Sequence, residues 1–90
     1  MPTIRIPTSL RSYTGGQGEL ALEGATVSAV MRDLAIKYPA LEPHLFSQDG
    51  ILRPFVNLYL GEENIKDLQG LHTKLKQDDR LLLIPSIAGG

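Results

Sequence analysis

Thr26-Val27-Ser28-Ala29-Val30-Met31-Arg32-Asp33-Leu34-Ala35-Ile36-Lys37-Tyr38-Pro39 decides how the rest of the chain is read. Val27, Val30, Met31, Leu34, Ala35 and Tyr38 fall at i, i+3, i+4, i+7, i+8 and i+11, which is one apolar stripe of an α-helix. Arg32, Asp33 and Lys37 fall off the stripe. Thr26 is a residue type that caps a helix N-terminus. Pro39 disfavours helical backbone at Tyr38, so the helix is expected to end there or earlier. A single apolar stripe needs a partner surface, and the flanking segments supply strands.

Upstream, Glu19-Leu20-Ala21-Leu22-Glu23 alternates and predicts a strand with Leu20 and Leu22 inward. Thr3 to Pro7 predicts an earlier strand with Ile4 and Ile6 on one face. The two are expected to form a hairpin joined by a long loop, Ser9 to Gly18. Downstream, Leu41 to Phe46 allows one more helical turn and Ser47 to Gly50 a loop. Phe55 to Leu60 predicts a third strand, with Val56, Leu58 and Leu60 on one face and Phe55, Asn57 and Tyr59 on the other. Asn64-Ile65 predicts a short edge strand, Leu71 to Leu75 a one-turn helix, and Arg80 to Pro85 a central strand. The order gives an α+β class, a four- to five-stranded mixed sheet with one main helix on one face. Residues 1–85 form the expected domain, and 86–90 a short flexible tail.

Ninety residues make one domain, with 42% hydrophobic residues. Nine Lys and Arg against ten Asp and Glu leave a net charge of -1, which argues against nucleic acid and anionic membranes as partners. The absence of cysteine excludes disulfides, Cys-ligated metal sites and a cysteine nucleophile. No signal-peptide pattern opens the sequence, so a cytoplasmic protein, monomeric by default, is expected.

Candidate chemistry is sparse. His44 and His72 lack ligand-spaced partners, and Glu62-Glu63 and Asp78-Asp79 are adjacent pairs whose side chains diverge. Gly15-Gly16-Gln17-Gly18 lacks the Lys and Ser or Thr of a phosphate loop. No metal, bound cofactor or enzyme active site is expected. Ile87-Ala88-Gly89-Gly90 differs from these. Glycine lets backbone thread a narrow channel, so the Gly90 carbonyl is reachable, with Ala88 and Gly89 giving access. If Leu81 and Leu83 face the helix, Leu82 and Ile84 face outward beside Phe55 and Tyr59. That patch, with Ile87, is a candidate partner site next to the tail. The alternative is that the long loops fold over it and make a second small core.

The strand and helix order, Ile6-Pro7-Thr8 with Leu10-Arg11, Thr14-Gly15-Gly16-Gln17, Phe55-Val56-Asn57-Leu58-Tyr59 and Leu83-Ile84-Pro85-Ser86-Ile87-Ala88-Gly89-Gly90 together resemble the ThiS/MoaD sulfur-carrier family. This family has the ubiquitin-like β-grasp fold. The likeness is greatest to its branch serving cysteine biosynthesis in actinobacteria. The resemblance implies first and last strands that are parallel and central. It implies that Gly90 is adenylated by an E1-like adenylyltransferase of the MoeB or ThiF type, which uses ATP, and is then converted to a thiocarboxylate. It implies a sulfur-accepting synthase as second partner, cysteine-synthase-like or serving thiamin thiazole, molybdopterin or tRNA thiolation. The chain itself would be a carrier and no enzyme. Two other readings stand beside it: a ubiquitin-like modifier conjugated to lysines, and an interaction module with an inert tail.

Overall fold

Thr26 has extended backbone (φ −137°, ψ 163°), and its Oγ1 accepts the Ala29 amide at 3.1 Å. The hydroxyl thereby satisfies one of the amides that a helix start leaves without a partner. Helix α1 runs Val27–Lys37, and Tyr38 leaves helical geometry (φ −134°, ψ 72°) just before Pro39. Val27, Val30, Met31 and Leu34 are buried, as the stripe requires. On the outer side, the Asp33 carboxylate accepts the Glu23 amide at 2.9 Å and pairs with Lys37 Nζ at 3.0 Å. The Glu23 amide, and then Lys37, hold that carboxyl below its ordinary value.

The computed structural model describes residues 1–85. The strands are β1 (Thr3–Arg5), β2 (Glu19–Ala21), β3 (Val56–Leu60), β4 (Glu63–Asn64) and β5 (Arg80–Pro85). They form one mixed sheet in the order β2-β1-β5-β3-β4. β1 pairs antiparallel with β2 and parallel with β5, and β5 pairs antiparallel with β3. β5 is therefore the middle strand, and its backbone is paired on both sides. Ile4, Leu20, Val56, Leu58, Leu81 and Leu83 point to α1 and are buried with its stripe in one core. Gly24 lies between β2 and α1 at φ 155°, and a Cβ there would lie 2.6 Å from the Val30 amide nitrogen. Only glycine allows the chain to pass so close to the helix backbone.

The connections depart from expectation. The segment between β1 and β2 contains a seven-residue 3₁₀ helix, Thr8–Thr14, where a plain loop is predicted. Leu10 and Thr14 are buried within it, and the Thr14 hydroxyl donates to the Gln17 carbonyl at 2.8 Å. Burial of Leu10 in the common core overrides the turn-rich composition. The predicted single turn after α1 is a 3₁₀ turn, Pro39–Leu41, followed by α2, Glu42–Leu45. Leu41 and Leu45 close the same core from that end. The predicted turn at 71–75 is a 3₁₀ turn at Gly70–His72, and β4 lies one residue earlier than Asn64-Ile65.

Candidate functional site

The sheet face opposite α1 is built by strand alternation about β5. Leu81 and Leu83 are buried toward the helix, which turns Leu82 and Ile84 outward. Leu82 lies between Arg5 of β1 and Tyr59 of β3 in register, and Ile84 lies opposite Asn57 of β3. Leu82 is 37% exposed and Ile84 40% exposed, so the long connections do not cover them. Those connections instead pack their apolar residues into the helix-side core through Leu10, Leu41 and Leu45. The Tyr13 and His44 rings, 4.3 Å apart, join the two connections to each other. The outward patch is thus open, and the second small core does not form on it.

Phe55 is a correction to the expected patch. β3 begins at Val56, so Phe55 precedes the strand and does not follow its alternation. It is half-buried and packs against the main core. The open patch contracts to half-buried Tyr59 with Leu82 and Ile84. On its β4 side the rim is polar. The Asn57 Oδ1 accepts from Asn64 Nδ2 at 3.2 Å and from Lys66 Nζ at 3.4 Å, and Lys66 Nζ also donates to the Pro54 carbonyl at 3.1 Å. On its β1 side lies a cleft that Arg5 lines together with Leu82, Ile84 and Pro85. The sequence alone does not single out Arg5, because a polar residue on the outward side of a strand carries no signal by itself. Its position matters only once β5 is seen to lie beside β1.

Ile87, Ala88, Gly89 and Gly90 lie outside the described residues. Pro85, the last of the described residues, ends β5 at the edge of the open patch. Among the described residues no helix is long and apolar enough to cross a membrane. His44 and His72 are both exposed and lie on different connections.

A model of the ThiS family matches residues 4–90. The sulfur carrier protein CysO of Mycobacterium tuberculosis is 38% identical over 90 residues, which covers 98% of this chain and 97% of that protein. Among solved structures, a chain of the Amycolatopsis orientalis BexX/CysO complex matches with a TM-score of 0.90 and 32% identity, covering 100% of both chains. The small archaeal modifier protein 1 from Methanosarcina acetivorans matches with a TM-score of 0.88 and 33% identity, covering 99% of this chain and 95% of that one. These neighbours share the mixed sheet and packed helix of the ubiquitin-like β-grasp. The chain therefore belongs to the ThiS family and is a small ubiquitin-like sulfur carrier, similar over its length to the CysO carriers, rather than a catalyst.

Proposed function

We propose that this protein carries sulfur as a thiocarboxylate on Gly90 and that the sulfur goes to cysteine. The observation that carries the reading is the placement of β5. This strand is held on both sides, presents Leu82 and Ile84 outward, and ends at the edge of that open patch. A partner seated on the patch is positioned to receive the chain that follows Pro85. Full-length likeness to CysO carriers supports the same reading.

The chemistry runs in three steps. The Gly90 carboxylate attacks the α-phosphorus of ATP in an E1-like adenylyltransferase, forming an acyl adenylate and releasing pyrophosphate. Sulfide adds to the activated carbonyl and AMP leaves, which places the sulfur on Gly90 as a thiocarboxylate. In the third step that sulfur adds to an electrophilic carbon held by a second partner, a cysteine-synthase-like enzyme, and water then cleaves the acyl–sulfur bond, which frees the sulfur on its new carbon and returns Gly90 to a carboxylate. A thiocarboxylate is ionised at neutral pH, and the ionised sulfur is the nucleophile, as with a thiolate. The 90 residues contain no cysteine, so no thiol competes with it. ATP and both partners place the work in the cytoplasm.

The test is ATP–pyrophosphate exchange. A cognate adenylyltransferase with labelled pyrophosphate and ATP is expected to exchange label only when this protein is present. Absence of exchange with enzymes active on their own carriers counts against the reading. Likeness to an archaeal modifier favours a second one, in which the Gly90 acyl group passes to a lysine amine and leaves an isopeptide. Conjugates of raised mass in cells, with no thiocarboxylate, would support it instead.

A further inference from the structure

The cleft beside β5 brings Arg5, Pro7, Ser9, Leu82, Ile84 and Pro85 together. Arg5 is the one charged residue in its lining. It is exposed, and among the described residues its side chain makes no ion pair or hydrogen bond. Glu19 lies directly across from it in the β1–β2 register, yet the two side chains are not paired. Arg5 instead lines the apolar cleft on the β5 side, where the open patch continues toward Pro85. A partner that covers Leu82 and Ile84 also strips water from this cation. Removing water from an unpaired charge is costly unless the partner supplies the counter-charge.

We infer that Arg5 is a specificity-determining residue, which takes a carboxylate of the activating adenylyltransferase as the Leu82 and Ile84 patch seats on it. This rests on the reading proposed above. The guanidinium fork matches a carboxylate with two parallel hydrogen bonds, which fixes orientation as well as attraction. Arginine beside an apolar centre is also the composition that protein interfaces favour. Because Arg5 lies beside Leu82 of β5, the pair would set the register of the strand that leads to the tail. A carrier whose enzyme lacks the acid would meet an uncompensated charge and be rejected.

Steady-state adenylation tests this, using the enzyme that activates the wild-type protein in the exchange assay. Arg5→Glu is expected to raise KM for the carrier about tenfold or more, with kcat at saturation unchanged. Arg5→Lys is expected to raise KM by an intermediate factor, more than about threefold and less than Arg5→Glu, since it keeps the charge and loses the fork. Raising salt is expected to narrow the gap between Arg5→Glu and wild type. Unchanged melting of each variant checks the fold, and Arg5→Gln serves if the reversal unfolds it, with a smaller rise in KM. A KM within about twofold of wild type for Arg5→Glu, or a fall in kcat alone, overturns the inference. If the Ile84→Glu variant loses activity and Arg5→Glu does not, the inference falls while the docking reading stands. If no enzyme activates the wild type, both fall.

Discussion

Leu83→Ala is expected to cost about 2–5 kcal/mol of folding stability. Leu83 is 1% exposed at the middle of β5, opposite Leu58 of β3 and beneath the α1 stripe. Its surroundings are held by strands on both sides and by the helix, so the space left by truncation cannot readily collapse. A domain of this size has about 5–15 kcal/mol in total, so the loss takes a large share of it. Urea unfolding should show a lower midpoint with an unchanged slope, since the surface exposed on unfolding hardly changes. A cost below about 1 kcal/mol would mean that β5 is not the centre of the core. The neighbouring Leu82→Ala is expected to lie near zero, because Leu82 is on the other face.

Leu82→Glu has the converse profile. The side chain reaches solvent, so the free protein should keep its stability to within about 0.5 kcal/mol. Docking would bury the new carboxylate in an apolar contact, at a cost of about 2 kcal/mol or more, which is about a thirtyfold loss in kcat/KM for adenylation. Arg5 stands beside Leu82 in register and could partly neutralise that charge. Ile84→Glu lessens that compensation, because its partner in register is the uncharged Asn57 and it lies two residues beyond the Arg5–Leu82 pair. Both variants should lose activation and stay folded. Wild-type adenylation by either folded variant would place the interface elsewhere on the molecule.

The parts of this fold that were legible in the sequence are those where one periodicity continues through a whole element. The α1 stripe and its Thr26 cap are of this kind, and so is β5, where four consecutive apolar residues divide into a buried Leu81 and Leu83 and an open Leu82 and Ile84. Segments without a period were not legible. Thr8–Thr14 has turn-rich composition, and its 3₁₀ form depends on Leu10 reaching a core assembled by distant strands. Phe55 is the opposite case, where the alternation of β3 does not continue past the end of the strand. Val56 is the first residue on the ladder, and Phe55 turns back to the core. Arg5 depends on a neighbour far along the chain. Its significance comes from the parallel pairing of β1 with β5, which no local pattern encodes.

The tail residues Ala88, Gly89 and Gly90 carry the chemistry in this account, and a mass measurement addresses them without reference to their structure. The protein is incubated with MgATP, its adenylyltransferase and sulfide, and its intact mass and C-terminal fragments are recorded. The predicted result is the gain expected when one oxygen is replaced by sulfur, located at Gly90 and absent from a chain lacking Gly89 and Gly90. An unchanged mass with an enzyme that adenylates the protein, or sulfur located on any other residue, would contradict the account.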